Sequence, residues 1–312
     1  MFYDLYDYNI DLMSGDVSLH DGIPKQYYHL KEKKFGDWEI PPWELFIFTK
    51  RLLGEGSFAK VYLSKWRETF VVAKVINPNI CKKEKDLVLR EFEIMTKLHH
   101  PNIVQFLGYI DEPFIIVMEY IPNGDLLENI EKRSLTKENK KNIMRDILRG
   151  LAYIHNRLPY SLIHRDIKPT NILLTNSKVA KITDFGLSKF GGMYKSISDN
   201  NLTSINEDIS HNNLDNNYNI FKDLTINVGT ERYMAPEINN KQPYNNKIDI
   251  YSCGILLYEM FENKRYLPGD KLNWYYTPKK IKTIILNNML SFDPKQRWDS
   301  LNLLKTYNKL LY

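Results

Sequence analysis

The hydrophobic pattern of the chain changes character at Pro122-Asn123-Gly124, and this change limits the fold more than any other feature of the sequence. Before it, between Phe46 and Ile76, β-branched residues and the alternation of apolar with polar positions are typical of strands. After it, apolar residues recur at helical spacing, most clearly from Lys137 to His155. The sequence therefore predicts an α+β chain, in which a small β-rich lobe is followed by a larger, mostly helical lobe, with a hinge near residues 120–122.

Further elements follow from the same periodicities. In the first part, one helix is predicted from Lys85 to Leu98, followed by strands from Ile103 to Tyr109 and from Pro113 to Tyr120. In the second part, further helices are predicted over Lys247–Phe261, Pro278–Leu290 and Trp298–Leu311. This organisation divides the chain into an N-terminal extension (1–44), a first lobe (45–121) and a second lobe (122–312).

One segment of the second lobe differs from the rest. Residues 191–227 are polar, and eight of the twenty residues from Asn200 to Asn219 are Asn. Loops longer than about 12–15 residues are uncommon unless they are functional or disordered. Because the composition offers little apolar surface to bury, we expect this segment to be a disordered insert.

Composition narrows the class of protein further. The 312 residues carry a net charge of only +5, and the basic residues are spread along the chain, so we expect no binding to nucleic acid. No stretch reaches the roughly 20 apolar residues of a membrane span, and the first residues lack the features of a signal peptide. Cys81 and Cys253 fall in unrelated elements, which indicates free thiols in a reducing compartment. We therefore expect a monomer in the cytoplasm, with the nucleus as the alternative location, and no membrane partner.

Two short strings in the second lobe carry the reactive groups. The first runs from His164 to Asn171 and contains Asp166, Lys168 and the Asn171 amide, and the second is Asp184-Phe185-Gly186. A carboxylate that can accept a proton, an ammonium group, and an amide and a second carboxylate that can hold a metal are the set needed to move a phosphoryl group with magnesium. Each string alone is common by chance, but both in this order, with an apolar strand at Leu173-Leu174 between them, are not.

A glycine-rich segment in the first lobe is the next candidate, Leu53-Gly54-Glu55-Gly56-Ser57-Phe58-Ala59-Lys60-Val61. Glycines let backbone amides approach phosphate oxygens closely, although such a segment can equally be an ordinary hairpin turn. The phosphate interpretation gains support from Lys74, which lies among Val71, Val72, Val75 and Ile76 on the predicted strand that follows. A lysine there needs a partner because desolvation is costly, unless the strand lies at a sheet edge and the side chain reaches water.

Glu91 on the following helix is the expected partner of Lys74, and Glu93 is the competitor. The two glutamates point about 200° apart on a helix, so both cannot face the lysine. Either could instead be a solvated helix charge. We favour Glu91.

Several residues near these strings have structural interpretations. We expect Glu237 and Arg297 to form a buried ion pair, and Asp249 to anchor the backbone around Arg165. His164 is expected to be a buried packing residue rather than an acid or a base.

The order of these motifs, from the glycine-rich segment through Lys74, Glu91 and the two strings to Ala235-Pro236-Glu237 and Arg297, resembles the eukaryotic protein kinase family over about Leu45 to Tyr312. The resemblance implies a two-lobed kinase fold, with a small antiparallel sheet and one helix in the first lobe. Lys168 and Thr230 resemble the serine/threonine type. The residues around Trp38-Glu39-Ile40, Trp66-Arg67 and Pro159 are similar to the tyrosine-kinase-like branch.

The resemblance also implies the roles of individual residues. Catalysis would depend on Asp166, Lys168, Lys74 and Glu91, and the metal would be bound by Asn171 and Asp184. The nucleotide would be bound by Leu53, Gly54, Glu55, Gly56, Ser57, Phe58, Ala59, Val61, Ala73, Lys74, Met118, Glu119, Ile121 and Leu173. The cofactors would be ATP and Mg²⁺, with Mn²⁺ as the alternative metal, and the partners would be proteins that present serine or threonine.

The chain departs from the family pattern in four places. Ala59 replaces the third glycine, Trp298 follows Arg297 where proline is usual, and the stretch from Met260 to Met289 is short, so a helix there is expected to be trimmed or absent. The segment from Asp184 to Glu237 is long. Candidate phosphorylation sites in it are Ser196, Ser198, Thr203, Ser204, Ser210 and Thr225.

The departures affect substrate recognition and regulation rather than the chemistry. We therefore expect an active ATP-dependent protein kinase. The alternatives are a pseudokinase that serves as a nucleotide-binding scaffold, which would usually have lost one of the reactive groups, and a small-molecule kinase, which would lack the Gly229-Thr230 and Ala235-Pro236-Glu237 segment.

Overall fold

The computed structural model describes residues 19–20, 23–24, 30, 33–34, 36–158, 160–193, 231–240 and 242–311. The chain forms two compact units, Met1–His99 with Val104–Ile121, and His100–Ile103 with Pro122–Tyr312. The first contains most of the strands and the second most of the helices, which confirms the predicted α+β class. Most of the predicted insert (191–227), including all candidate phosphorylation sites, and much of the extension (1–44) lie outside the described residues.

The first unit is built on an antiparallel five-stranded sheet. Its strands, in chain order, are β3 (Leu45–Glu55), β4 (Ala59–Trp66), β5 (Thr69–Ile76), β6 (Phe106–Ile110) and β7 (Ile115–Glu119), after a two-residue pair, β1 (Leu19–His20) and β2 (Ile23–Pro24). The order across the sheet is β3-β4-β5-β7-β6. Strand β5 is therefore central, so Lys74 does not lie on a sheet edge.

Strand alternation fixes the direction of each side chain on β5. Val71, Ala73 and Val75 enter a hydrophobic core with Leu45 and Val117, and all five are buried. Because successive side chains of a strand point to opposite faces, Lys74 projects from the other face. That face also carries Ala59 and Ile76, which pack against helix α1 through Val88.

Helix α1 spans Lys82–Met95 and begins three residues before the predicted start. The Glu84 carboxylate accepts the backbone N–H of Cys81 at 2.6 Å, which satisfies a donor at the helix start. The helix ends at Met95, and the Thr96 hydroxyl donates to the Glu93 carbonyl at 2.9 Å. The early start follows from this capping interaction, which apolar periodicity alone does not reveal.

The second unit is mainly helical. Its helices are α2 (Leu126–Glu131), α3 (Lys137–His155), α4 (Pro236–Asn239), α5 (Lys247–Glu262), α6 (Lys279–Ile284), which continues as a π-helix over Ile285–Met289, and α7 (Ser300–Leu311). The strands are β8 (Tyr160–Ile163), β9 (Ile172–Leu174), β10 (Ala180–Ile182) and β11 (Lys189–Met193). No helix in the described part of the chain is long and apolar enough to cross a bilayer.

Helices α3 and α5 form the centre of this unit. Helix α3 has the predicted bounds, and Thr136 caps it by accepting the Asn139 N–H at 3.1 Å. Helix α5 is buried around nearly its whole circumference, as expected for a helix at the centre of a core. At Gly254 a Cβ atom would lie 2.6 Å from a terminal methyl of Leu290 and 3.1 Å from Met289 Cβ, so a larger residue would require the Leu290 side chain and the end of the π-helix to shift.

The segment His100–Ile103 belongs to the second unit, although it lies within the lobe 45–121 drawn from the sequence. The Ile182 N–H donates to the Asn102 carbonyl at 2.9 Å, and the Asn102 amide donates to the Ala180 carbonyl at 2.9 Å. Strand β10 therefore holds this segment by hydrogen bonds between residues distant in sequence, which local patterns do not report.

Candidate active site

Asp166, Lys168 and Asn171 form one hydrogen-bonded group in the second unit. Asp166 is 7% exposed, and its Oδ2 lies 2.7 Å from Lys168 Nζ. Asn171 Nδ2 donates to the same Oδ2 and to the Asp166 carbonyl, both at 2.9 Å. The carboxylate is thus held by two donors, and its second oxygen has no partner within the part of the chain that the structure describes. An anchored carboxylate of this kind can orient a hydroxyl and accept its proton.

His164 supports this group through the backbone. Its side chain is fully buried and packs edge-to-face on Phe185, with ring centroids 4.9 Å apart. One ring nitrogen lies 3.0 Å from the Thr183 carbonyl, and the other accepts the Asp166 N–H at 3.3 Å. His164 therefore links the two strings as a packing residue, as predicted, and has no free nitrogen with which to act as an acid or base.

Asp249 on helix α5 anchors the backbone of the first string, the run from His164 to Asn171. Its carboxylate accepts the backbone N–H groups of His164 and Arg165, each at 2.8 Å, and contacts His155 Nε2 at 2.8 Å. Burial acts to raise the pKa of Asp249, but the hydrogen bond from His155 and the other donors outweigh it and hold the pKa below its usual value. An ionised carboxylate therefore fixes the backbone immediately before Asp166.

Strand pairing brings the second string beside the first. Strands β9 and β10 pair antiparallel with Ile172 opposite Ile182, and the Thr183 N–H donates to the Asn171 carbonyl at 3.0 Å. Asp184, the next residue, therefore follows directly beside Asn171. Its backbone has φ +65°, a left-handed conformation that costs a non-glycine residue about 1–2 kcal/mol.

Asn171 and Asp184 suit a magnesium ion that is also bound by phosphate. Both hydrogen bonds of the Asn171 side chain use its NH₂ group, so within the described residues the amide oxygen keeps its lone pairs. Asp184 is exposed, and one oxygen of its carboxylate accepts the Gly186 N–H at 3.4 Å. Among the described residues no cluster of three or more His, Cys, Asp or Glu could hold a metal alone. Mg²⁺ usually binds one or two carboxylates together with substrate phosphates, so this donor set fits it.

The ion pair between Lys74 and Glu91 is present in the first unit. Lys74 Nζ lies 2.6 Å and 2.7 Å from the two carboxylate oxygens of Glu91, whose side chain is 8% exposed. Glu93 instead pairs with Lys97 one turn later, at 2.5 Å on the exposed face of α1. The preference for Glu91 over Glu93 agrees with these contacts.

The glycine-rich segment is the turn between β3 and β4. Gly54 pairs with Val61, and the Gly56 N–H donates to the Ala59 carbonyl at 2.9 Å. Among the described residues, a Cβ atom at Gly54 would meet nothing within 4 Å, and one at Gly56 only the Ala59 carbonyl at 3.9 Å. Packing within the protein therefore does not require either glycine, which is consistent with a requirement set by a ligand.

An apolar strip lies on the same sheet face as Lys74. Directly paired residues share a face, and the register pairs Lys74 with Val61, and Val72 with Met118. Val61, Val72 and Met118 are half-buried, which suits contact with a planar base. Ala73, which the sequence analysis placed in the nucleotide site, lies on the opposite face and is fully buried in the core. Val72 instead shares the face of Lys74, as strand alternation from Lys74 would have indicated.

The other predicted nucleotide residues differ in their surroundings. Leu53 is 48% exposed, whereas Ile121 is 7% exposed, so Ile121 could reach a ligand only through its backbone. The Glu119 carboxylate accepts the Gln105 N–H at 2.7 Å. Leu173 is half-buried on β9, in the second unit. Among the turn residues, Glu55 and Ser57 are exposed, while Phe58 packs with Ala59 against Ile76 and Val88.

Glu237 and Arg297 form the predicted buried ion pair. Two parallel contacts of 2.7 and 2.8 Å join the groups, whose side chains are 2% and 0% exposed. The guanidinium also donates to the Ser291 carbonyl at 2.8 Å. Neither residue touches the Asp166 group, so the pair is structural.

Comparison with known proteins agrees with this geometry. Residues 48–307 match the protein kinase domain family. The chain belongs to this family. The family assigned from the motif order is therefore confirmed, and the kinase-domain residues include both the Lys74–Glu91 pair and the Asp166 group.

Relatives of this kinase domain occur in plants and fungi. The serine/threonine-protein kinase VIK of Arabidopsis thaliana is 38% identical over 237 residues, which cover 73% of this chain and 48% of that protein. The serine/threonine-protein kinase CTR1 of the same plant is 31% identical over 231 residues, covering 72% of this chain and 25% of that protein. The serine/threonine-protein kinase shk2 of Schizosaccharomyces pombe is 31% identical over 298 residues, covering 90% and 42%. The chain thus spans less than half the length of each of these relatives.

Proposed function

We propose that this kinase domain transfers the γ-phosphoryl group of ATP to serine and threonine hydroxyls of proteins. The observation that carries the proposal is the Asp166 group, in which one carboxylate is fixed by Lys168 at 2.7 Å and by Asn171 at 2.9 Å. Such positioning, together with charge stabilisation, accounts for most of the catalysis of phosphoryl transfer.

In the proposed reaction each residue has a separate task. Asp166 orients the substrate hydroxyl and accepts its proton, while Lys168 balances charge on the phosphoryl group in transit. Asn171 and Asp184 would hold the metal, and a bound Mg²⁺ would neutralise negative charge on the phosphates. The donors are an amide oxygen and a carboxylate oxygen, which suit both Mg²⁺ and Mn²⁺. We propose Mg²⁺ because it is the ion that commonly accompanies nucleotide phosphates, with Mn²⁺ as the alternative.

The first unit would bind the nucleotide. Lys74, held by Glu91, presents an ammonium group for the α- and β-phosphates, and the open backbone at Gly54 and Gly56 can approach phosphate oxygens. The apolar strip of Val61, Val72 and Met118 offers surface for the adenine base.

Serine/threonine specificity is supported by Lys168 and by the relatives whose names carry that activity. No observation favours a scaffold without catalysis, since the three groups that a pseudokinase usually loses, here Lys74, Asp166 and Asp184, are present. A small-molecule kinase is disfavoured because the Ala235-Pro236-Glu237 segment is present. We further propose that the domain acts as a monomer in the cytoplasm, which size-exclusion chromatography and cell fractionation would test.

Transfer of radiolabelled phosphate from ATP to an array of serine, threonine and tyrosine peptides tests the proposal. We expect wild-type protein to label serine and threonine peptides, and Asp166→Ala and Lys74→Met to lose transfer while keeping the wild-type far-UV circular dichroism. Glu93→Gln is the matched control and should retain activity. Transfer that persists in Asp166→Ala, free of contaminating kinase, would refute the assignment, and an inactive wild-type protein that still binds ATP would support the scaffold.

A further inference from the structure

The loop between α5 and α6, residues 263–278, exposes aromatic and basic side chains together. Residues 264–282 contain six basic residues and one acidic residue, so this short stretch has a net charge of +5, equal to that of the whole chain. The remainder of the chain therefore has equal numbers of basic and acidic residues. Tyr275 is 78% exposed and Tyr276 68% exposed. We call the exposed residues Lys271, Tyr275, Tyr276, Lys279 and Lys280 the basic aromatic surface.

Glu262 at the end of α5 holds this loop in place. Its carboxylate accepts the backbone N–H groups of Tyr275 at 2.8 Å, Tyr276 at 3.1 Å and Thr277 at 2.9 Å, and it also accepts the Thr277 hydroxyl. Burial acts to raise the pKa of Glu262, but these donors outweigh it and keep the pKa below its usual value. The backbone that carries the two exposed tyrosines is therefore fixed by an ionised group.

A second anchor lies one turn earlier on α5. The Tyr258 hydroxyl donates to the Asn273 carbonyl at 3.3 Å, and the Tyr258 ring packs edge-on against Trp274, with centroids 4.9 Å apart. Lys282 Nζ lies 5.9 Å from the Trp274 ring centre. The loop is thus pre-ordered although it contains no helix, and pre-ordering lowers the entropy lost when a partner binds.

The lysines of this surface are not held in ion pairs by the described residues, and the nearby Glu262 carboxylate is occupied by backbone N–H donors. Within the described part of the chain, Lys271, Lys279 and Lys280 form no ion pair, and Asp270 is the single acidic residue of the stretch. Arg265 differs, because it lies 3.6 Å from Glu259 and 3.7 Å from Glu131. The lysines, rather than Arg265, are available to an anionic partner.

We propose that the basic aromatic surface docks an acidic segment of a protein substrate, and this inference takes the substrate to be a protein on the strength of the proposed function. Lysines offer charge complementarity to Asp and Glu, which favours association with an acidic partner. The adjacent exposed tyrosines offer apolar area with a hydroxyl, and tyrosine is enriched at protein interfaces. A polynucleotide would require phosphate contacts along a longer basic groove than these few lysines provide.

Helix α5 sets the distance from this surface to the Asp166 group. It carries Asp249, which anchors the backbone before Asp166, and Glu262, which anchors the loop. The thirteen residue steps from Asp249 to Glu262 along the helix correspond to about 20 Å at 1.5 Å per residue. An extended peptide covers that distance in roughly six residues, so the acidic segment should lie at least about six residues from the phosphorylated hydroxyl.

Binding can be tested without catalysis. The probe is a fluorescein-labelled 12-residue peptide of Asp, Glu and Leu without hydroxyl side chains, titrated with the full chain and followed by fluorescence anisotropy. We expect saturable binding that Lys279→Glu/Lys280→Glu weakens at least tenfold and Tyr275→Ala/Tyr276→Ala at least threefold. The matched control, Lys305→Glu/Lys309→Glu, makes the same charge change at exposed positions of α7 and should stay within twofold.

Several results would overturn the docking surface. They are no binding by wild-type protein, an equal loss in the α7 control, no effect of the tyrosine pair, or binding at least tenfold tighter to a single-stranded 20-mer DNA or to phosphatidylserine vesicles than to the peptide. Equal thermal unfolding midpoints for all variants exclude misfolding as the cause of a loss.

Kinetics then link docking to phosphorylation. A serine peptide from the array is compared with the same peptide carrying the acidic segment on a flexible linker of six or more residues. We expect the acidic segment to lower KM at least fivefold in wild-type protein and in the α7 control, but not in Lys279→Glu/Lys280→Glu, with kcat and the rate on the plain peptide unchanged. An equal KM for the two peptides in wild-type protein contradicts docking of a substrate. Absence of transfer to any peptide contradicts the proposed function, and the docking surface is then tested by the anisotropy measurement alone.

Discussion

Replacing Asp249 by Asn tests how the Asp166 group is held. Asp249 is fully buried, and its two oxygens receive three donors at 2.8 Å, of which Oδ2 takes two and Oδ1 takes the Arg165 N–H. An asparagine keeps the shape but has one acceptor oxygen. Its best orientation places that oxygen at the Oδ2 position, so its NH₂ group would face the Arg165 N–H.

The expected magnitude follows from this mismatch. A hydrogen bond to a charged group contributes about 1.5–3 kcal/mol, and an orphaned buried donor costs a further 1–3 kcal/mol, about 2.5–6 kcal/mol together. We expect a loss in the middle of this range, about 3–5 kcal/mol in the free energy of unfolding. Arg165 has φ +68°, a conformation that costs about 1–2 kcal/mol and that the lost bond would no longer hold. The backbone next to Asp166 should relax, and a displacement near 1 Å lowers kcat about 100-fold.

Asp146 provides the matched control. It is a buried aspartate of the same unit, on α3, and accepts the Ala180 N–H at 3.2 Å without touching the Asp166 group. Burial is the main cause that raises its pKa above the usual value, while Arg149, whose side chain is largely exposed, lies 3.7 Å from its Oδ1. We expect Asp146→Asn to cost less than Asp249→Asn, because it loses one solvent-screened ion pair and keeps an acceptor for the Ala180 N–H, and to leave kcat within twofold.

Urea unfolding and peptide phosphorylation measure the two effects. In thermal unfolding, a loss of 3–5 kcal/mol corresponds to a decrease of roughly 10 °C in the midpoint temperature for a unit of this size. The folded pKa of Asp249 lies below its unfolded value near 3.9, so its stabilisation is present above that pH and is lost as the pH falls through the folded pKa. The stability difference between wild type and Asp249→Asn should therefore shrink below pH 4. A variant with wild-type kcat and midpoint would refute the anchoring argument.

Three further predictions follow from the described contacts. Glu91→Gln should lower kcat at least tenfold because Lys74 loses its charged partner, whereas the exposed Glu93→Gln should stay within twofold, as measured by peptide phosphorylation. Glu237→Gln should lower the free energy of unfolding by about 3–5 kcal/mol in urea, since it leaves a buried guanidinium without its counter-charge, and wild-type stability would contradict this. A thiol reagent should label only the exposed Cys81 in native protein and both thiols in urea, because Cys253 is buried and burial raises its pKa; two thiols labelled in native protein would contradict that placement.

The sequence predicted the site residues whose contacts depend on motif spacing. Asp166, Asn171 and Asp184 lie together because β9 and β10 form a short antiparallel pair, and the apolar pair Leu173-Leu174 indicated the first of these strands. The ion pair of Lys74 with Glu91 was also predicted: helical geometry allows only one of Glu91 and Glu93 to face the lysine, and the resemblance to the family favoured Glu91. Such contacts follow from local geometry together with the order and spacing of the motifs.

Contacts that depend on tertiary packing were not predictable to the same degree. Ala73 was placed in the nucleotide site, but the face that it occupies depends on which side of β5 meets the core. His100–Ile103 belongs to the second unit because Asn102 accepts a hydrogen bond from Ile182 of β10 and donates one to Ala180 of the same strand. The order in the loop at 263–278 depends on Glu262, whose isolated position at a helix end gave no signal in the sequence.

The strained backbone at the two strings depends on residues that take no part in the proposed reaction. Arg165 and Asp184 both adopt positive φ; Arg165 precedes Asp166, which would orient the substrate, and Asp184 would itself bind the metal. Such conformations persist only where surrounding contacts determine them. Asp249 supplies those contacts for Arg165, and the pairing of Thr183 with Asn171 and His164 supplies them before Asp184. Residues with no part in the chemistry thus fix the strained backbone on which the reactive side chains are presented, so their replacement should reduce kcat as well as stability.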